Sequence, residues 1–430
     1  MRVLVIGSGG REHAICWKLS QSPKVEKVIC LPGNPGIAFE DKCECIEEGI
    51  DYKTANGRKR VLEIVKFHHI DFTIVGPEEP LVHGVVDDFR QEGLHIIGPE
   101  KRAALLEGSK DYAKAFMSQY GVRTPYSETV DDYEDARKTV DGLSVFPIVI
   151  KADGLAAGKG VYICSTKAEA LNALEEVMKN EKFGASGKRV LIEEFIDGEE
   201  ISVLALTDSK VIKPLLSSKD HKRLLDNDKG PNTGGMGVVT PNPVMTEAVY
   251  QDFIHACLNP TIKGLKESGV DYRGIIFFGL MVKDKKCYVL EYNVRMGDPE
   301  TQSILPLMSS DFMELLIQTE KAQLEQTDIC WHDGVCVNVV LASMGYPEVY
   351  EKGKRITGYD ASYFNSDVKV FFAGVGKGIE GKLINQGGRV LSVSAIGHSI
   401  FDARKKAYEV MKHVTFDGSY YRKDIGSSGK

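Results

Sequence analysis

Nothing in this sequence is apolar for long enough to cross a membrane. The longest apolar run, 275–282, contains Gly279, and a span needs roughly 18 residues. It reads instead as a buried strand. Positive charge is scarce too: 54 lysines and arginines stand against 61 acids, a net charge of −7, which excludes a non-specific nucleic-acid footprint. Only a few apolar residues follow Met1-Arg2, so no signal peptide is expected. No C-x-x-C pair occurs among the nine scattered cysteines, which points to reduced thiols in a cytoplasm and not to a disulfide framework. The ten histidines show no metal-ligand spacing, so no zinc site is expected. No serine or cysteine sits in a recognisable nucleophile elbow, and there is no G-x-x-x-x-G-K-[ST] loop, internal repeat or low-complexity tract.

What is present is a soluble globular composition, 43% hydrophobic and 27% charged. A chain of 430 residues has room for two to four domains at about 150 residues each. Glycine stands at 43, above the roughly 30 that an average share of about 7% would give, and much of the excess lies in short clusters.

The first hundred residues alternate. Strands are expected at 3–6, 25–31, 71–75 and 95–97, with helices at 12–20, 58–67 and 81–92 between them. That rhythm predicts a doubly wound parallel sheet, whose ligands sit beyond the carboxyl ends of the strands. From about 105 the pattern becomes α+β with antiparallel pairs, including hairpins over 201–216 and 274–291, a polar loop over 219–242, and a helical region over 246–268 that Pro260 should kink. A smaller α+β unit follows, with strands at 335–342, 368–372 and 390–395 and a helix at 400–413. The tail over 426–430 is expected to fray.

Five constellations carry chemistry. Gly7-Ser8-Gly9-Gly10-Arg11-Glu12-His13 follows a strand and opens a helix, a place where backbone N–H groups can receive an anion. Three readings stay open there: a ribose-phosphate receptor, a dinucleotide fingerprint, or a purely structural turn. Glu12 stands where the fingerprint needs its third glycine, and the second strand ends in Leu31-Pro32 without the acid that would hold a ribose. Lys151 and Lys159 flank a small-residue loop over 152–160, which reads as a flap over a triphosphate, or else as a solvated hairpin. Arg189 to Glu200 runs an apolar strand into paired acids and can serve as an adenosine hinge, although acids after a strand usually face solvent. Glu291 and Asn293, two apart, share a face of one strand, and two such oxygen ligands with nucleotide phosphates suit Mg²⁺. Arg295 lies on the same face and can grip a carboxylate or phosphate with its fork. The alternative is a salt-bridged strand end. The glycine-rich run Gly230 to Gly237 and the basic run Ser218 to Arg223 share one long loop, read as shaped for binding or, for the basic run, as simply solvated.

Taken together these residues resemble the glycinamide ribonucleotide synthetases, a family of the ATP-grasp superfamily. The match covers nearly the whole chain. Arg295-Met296-Gly297-Asp298-Pro299-Glu300-Thr301-Gln302 is similar to the family signature, with Met296 where Phe or Leu is usual. Leu106 to Lys110, Lys151 to Gly160, Asp220 to Arg223 and Pro231 to Gly237 also match.

The resemblance implies a multidomain α/β and α+β fold: an N-terminal doubly wound substrate domain over 1–104, an ATP-grasp domain over 105–325, and a small C-terminal α+β domain over 326–430. It implies a cytoplasmic ligase of de novo purine synthesis that joins glycine to 5-phosphoribosylamine through glycyl phosphate, with ATP and Mg²⁺ or Mn²⁺. Lys110, Lys151 and Lys159 would face the phosphates. Glu193, Glu194, Phe195 and Ile196 would hold adenine, and Glu200 the ribose. Glu291 and Asn293 would hold the metal. Arg295 and Asp298, with Lys159, are the implied catalytic residues, while Asp220 and Gly297 join Arg295 and Asp298 around glycine. Gly9, Gly10, Arg11, Asn34, Pro77 and Glu78 would face phosphoribosylamine. A monomer is expected, with transient contact to neighbouring purine-pathway enzymes as its protein partners. An ATP-grasp carboxylase subunit and a non-enzymatic nucleotide-binding regulator are the alternatives.

Overall fold

Val3, Leu4, Val5 and Ile6 are all fully buried, and they alternate between two different hydrophobic cores. A strand apolar on both faces is what a parallel sheet covered by helices requires. In the computed structural model, which describes residues 1–155, 160–180, 182–360 and 367–427, this strand, Arg2–Gly7, lies inside a parallel sheet. Lys27–Pro32 and then Cys43–Cys45 lie on one side of it, and Phe72–Val75 and then Ile96–Pro99 on the other. The helix expected over 81–92 is two helices, Glu78–Val82 and Val85–Gln91. Gly84 divides them at φ 92°, a left-handed conformation that glycine adopts without penalty.

The larger departure is that this sheet does not end at the first unit. Ile96–Pro99 pairs antiparallel with Tyr272–Lys283 through Gly98 and Pro99. Gly274 permits the join, since a Cβ there would come within 3.0 Å of the Gly98 Cα. Tyr272–Lys283 pairs in turn with Lys286–Asn293 and Glu199–Asp208, and Glu199–Asp208 with Ile212–Asp220. Gly237–Thr240 then carries the sheet into the C-terminal strands Val335–Ser343, Arg389–Gly397 and Val368–Phe372. Among the described residues, fourteen strands form this one sheet. Ser127–Val130, Val190–Glu194, Ile148–Ala152 and Val161–Cys164 make a separate four-stranded sheet.

The loop over 219–242 is therefore not without structure. It folds a short hairpin, Arg223–Leu225 with Lys229–Asn232, and supplies Gly237–Thr240. The helical region around Pro260 is Glu247–Phe253 and Asn259–Ser268 with a wider π turn, Ile254–Leu258, between them. Pro260 thus falls in a first helical turn, where its missing N–H costs least. Two helices had no counterpart in the expectations from sequence: Lys101–Gly108, and Thr301–Leu307, every residue of which is buried. No helix among the described residues is long and apolar enough to cross a membrane.

Candidate active site

A cavity of about 480 Å³ lies between the four-stranded sheet and the large one, with further walls from the first unit and from the C-terminal unit. Lys110 begins the helix Lys110–Tyr120, capped by the Ser109 side chain accepting from the Tyr112 N–H. Asp153 fixes that start by accepting from the Lys110 N–H at 2.7 Å, and the Lys110 ammonium donates to the Gly154 carbonyl at 3.0 Å. Lys114, one turn on, lies on the same helix face. Its ammonium and that of Lys151 each stand 2.5 Å from the Glu193 carboxylate, which is 2% exposed. Burial, only partly offset by Glu193, brings the Lys114 ammonium down to about 8. Burial also lowers Lys110, against the pull of Glu291. Beside these cations Val149, Ile163, Leu280 and Leu290 form an apolar slot next to Glu194, Phe195 and Ile196, a shape that suits a flat ring.

Deeper in, Glu291 faces the cations from strand Lys286–Asn293. Burial would raise its carboxyl, but Lys222, Lys151, Lys110 and Arg295 together hold it below the usual value. Gly279 lies opposite, and a Cβ there would press on the Glu291 Cγ at 3.0 Å. The Asn293 oxygen accepts from Arg295 at 3.3 Å. Among the described residues no three or more histidine, cysteine or acid side chains gather as a metal cage. An ionised carboxylate and an amide oxygen on one strand face are an incomplete oxygen set, which fits a cation that takes its remaining ligands from phosphates and water. Glu200, read as a ribose ligand, ion-pairs with Lys222 at 2.9 Å, and that contact chiefly raises the lysine.

Beyond Glu291 the Arg295 fork meets Glu78 at 3.1 Å and Glu107 at 2.9 Å. Burial pushes Glu107 up to about 7 even so. Asp298 accepts from Gln302 at 2.7 Å and pairs with Arg389 at 3.1 Å; burial opposes its ionisation, and Arg389 and Arg11 restore it. Asp220 keeps one buried oxygen, Oδ1, with no hydrogen-bond partner, and burial raises its carboxyl well above the ordinary range. Arg11 reaches the wall while donating to Glu12 at 2.5 Å and to the Met296 carbonyl at 3.1 Å.

The structure thus brings Lys110, Lys151, the stretch Glu193 to Ile196 with Glu200, the Glu291–Asn293 pair, Arg295, Asp298, Asp220, Arg11, Pro77 and Glu78 to one cavity. It does not bring Gly9, Gly10, Asn34 or Gly297 into its wall. The Gly9 N–H already donates to Glu12 at 2.6 Å. A Cβ on Gly10 would lie 2.6 Å from the Gln302 amide nitrogen. Asn34 spends its amide on the Ser8 and Phe372 carbonyls and on the Gly36 and Ile37 N–H groups. Gly297 serves by leaving room for Glu300, whose carboxylate a Cβ there would strike. Lys159 and the centre of the flap lie outside the described residues. The sequence reading missed Lys114, Glu107, Lys222, Glu300 and Arg389. Lys114 was visible as the residue four beyond Lys110. Arg389 carries no local signal.

Gly10 is therefore a packing glycine. Gly10→Val should push Gln302 off Asp298 and destabilise the fold by about 1–3 kcal/mol. Urea unfolding checks this, with Gly49→Ala, where a Cβ meets open space, as a control expected within about 0.5 kcal/mol of the parent.

Comparison with known proteins adds independent findings. Three family models match in succession: phosphoribosylglycinamide synthetase N domain over 1–107, its ATP-grasp (A) domain over 108–301, and its C domain over 336–428. The phosphoribosylamine–glycine ligase of Clostridium acetobutylicum is 47% identical over 428 residues, covering 100% of both chains. That of Fusobacterium nucleatum is 49% identical, covering 99% of this chain and 98% of its own. The crystal structure of phosphoribosylamine–glycine ligase from Thermotoga maritima superposes with a TM-score of 0.85 at 35% identity, covering 99% of this chain and 100% of that one. The biotin carboxylase domain of a Hydrogenobacter thermophilus 2-oxoglutarate carboxylase, at 16% identity and TM-score 0.75, covers 98% of this chain and 91% of its own and shares the fold.

Proposed function

This chain belongs to the phosphoribosylglycinamide synthetase family, and we propose that its cavity joins glycine to 5-phosphoribosylamine with ATP, giving glycinamide ribonucleotide, ADP and phosphate. The observation that carries this is the convergence on one cavity of a two-lysine phosphate face, an ionised Glu291 and an arginine–carboxylate face at Arg295 and Asp298.

In this reading a glycine carboxylate oxygen attacks the γ-phosphorus, and ADP leaves. The amine of phosphoribosylamine then attacks the carbonyl carbon of glycyl phosphate, and inorganic phosphate leaves. The protein's share is alignment and charge neutralisation. Lys110 and Lys151 hold phosphate oxygens. Backbone groups from Glu194 to Ile196 meet the adenine edge in the apolar slot, with Glu200 near the ribose. Glu291 and Asn293 would hold Mg²⁺ or Mn²⁺, which when bound neutralises charge on the transferring phosphoryl group. Arg295 orients the carboxylate or acyl phosphate, with Asp298 fixing the turn beside it. The free oxygen of Asp220 offers an acceptor for a substrate N–H. Arg11, Pro77 and Glu78 face the second substrate. The nine cysteines are free thiols, consistent with the proposed reducing cytoplasm. The proposed working unit is a monomer.

The test is ADP release in a coupled assay. Release that needs both glycine and phosphoribosylamine is expected. Release that proceeds equally with bicarbonate in place of glycine, or none at all, would overturn the reading.

A further inference from the structure

Phe372 ends Val368–Phe372, an edge strand of the large sheet, and among the described residues its peptide has no strand partner on the outer side. Two side chains of the first unit take that place. His13 Nδ1 accepts from the Phe372 N–H at 2.8 Å, and Asn34 Nδ2 donates to the Phe372 carbonyl at 2.9 Å. The same Asn34 amide donates to the Ser8 carbonyl at 2.8 Å, in the glycine turn that opens the first helix. His13 is 2% exposed, and Gly36 lets the backbone close over it, because a Cβ there would fall within 2.7 Å of both the His13 and Phe372 rings.

This clamp lies between two walls of the cavity. Arg11 is two residues before His13 on the same helix. Arg389 begins the strand that pairs with Val368–Phe372, and Ala373 donates to Val390, the residue after Arg389, at 2.8 Å. The Phe372 peptide therefore ties the Arg11 wall to the Arg389 wall, alongside the turn at Met296 and Asp298 that both arginines also touch.

We propose that His13, with Asn34, is a positioning residue that sets the width of the phosphoribosyl-binding side of the cavity and releases it when the imidazole takes a proton. This rests on the proposed function above. A backbone N–H aimed at Nδ1 requires that nitrogen to be unprotonated, so the single ring proton sits on Nε2 and points at the Glu40 carboxylate, 3.1 Å away. A second proton on Nδ1 would set N–H against N–H and break the clamp. Glu40 and Lys369, themselves 3.1 Å apart, are the charged groups facing the ring, and Tyr359 lies beyond Glu40. Burial keeps His13 neutral, below its ordinary value of 6.5, so release belongs on the acid side.

The test runs the reaction backwards, forming ATP from glycinamide ribonucleotide, ADP and phosphate. At pH 8, His13→Ala and Asn34→Asp should each raise KM for glycinamide ribonucleotide at least tenfold, with KM for ADP within twofold of the parent. His13→Gln can accept from Phe372 and donate to Glu40 but cannot titrate. Its KM should stay within about threefold of the parent at pH 8 and rise less steeply toward pH 5.5. The ribonucleotide's own phosphate titrates near pH 6, equally in both proteins, so the difference between the two profiles is diagnostic. Unchanged ribonucleotide KM in His13→Ala and Asn34→Asp, or superposed profiles for parent and His13→Gln, would overturn the clamp while leaving the proposed function standing. A parent that forms no ATP from glycinamide ribonucleotide would overturn both. Should His13→Ala fail to fold, the His13→Gln profile decides alone.

Discussion

Exchanging Glu291 for Gln should lower turnover on the order of 10³-fold, the scale seen when a group that stabilises transferring charge is removed. The substitution keeps shape and removes one negative charge from a spot flanked by Lys110, Lys151, Lys222 and Arg295. Two accounts of Glu291 make opposite forecasts. If it only balances the four cations, its loss leaves the cavity more positive, and ATP should bind at least as tightly as before. If it holds the divalent metal, the ion binds less well, and more Mg²⁺ is needed for the same rate. We expect the second outcome, with the residual rate rising as Mg²⁺ is raised. Asn293→Ala should show the same Mg²⁺ dependence more weakly, since it removes a neutral ligand. Near-normal rates for both variants at limiting Mg²⁺ would refute the metal assignment.

How far the sequence foretold this arrangement depends on the kind of signal each element carries. The parallel strands were legible because Val3 to Ile6 is a short apolar run between a chain start and a glycine turn. Lys110–Tyr120 carries a serine cap and an apolar face, both signals that a sequence can show. Thr301–Leu307 was not legible, because it is buried all round and so shows no stripe. The fourteen-stranded continuity was invisible for a different reason. It hangs on two residues, Gly98 and Pro99, meeting Tyr272 and Arg273 across more than 170 positions of chain, a contact with no local pattern.

The same division runs through the site. Glu291 with Asn293, and Lys151, announce themselves by spacing and by the company of glycines. Arg389 enters from the C-terminal unit because its strand joins the large sheet, so only the fold places it against Asp298. The glycine turn stays ambiguous for a physical reason. Its sequence fits an anion receptor, yet Glu12 already supplies the anion, accepting from Gly9 and pairing with Arg11. A carboxylate three residues into a helix can cap the helix's own start, and no feature of spacing distinguishes that from a vacant receptor.

Glu193 gives the second large expectation, on stability. Its carboxylate is buried between the Lys114 and Lys151 ammoniums at 2.5 Å each. Glu193→Gln leaves the Lys114 ammonium without a counter-charge beside a second buried cation, Lys151, and removing one partner of a buried ion pair costs about 3–5 kcal/mol. Lys114→Met should be mild, within about 1 kcal/mol either way, because Glu193 and Lys151 remain as a one-to-one pair and an apolar chain of similar length fills the space. The two variants also separate by pH. In the parent, Lys114 titrates at about 8 when folded, against an ordinary 10.5. The unfolded chain therefore binds more protons between those values, so this group's contribution to stability rises with pH across that window and falls as pH drops toward about 8. Glu193→Gln should widen the window downward, because the Lys114 ammonium loses its close anion, and its deficit at pH 7 should shrink by pH 9.5 as that ammonium gives up its proton. Lys114→Met should lose this slope. Urea unfolding at pH 7 and 9.5 measures all three proteins. A loss below about 1 kcal/mol in Glu193→Gln at pH 7 would mean that water, and not Glu193, stabilises the two ammoniums.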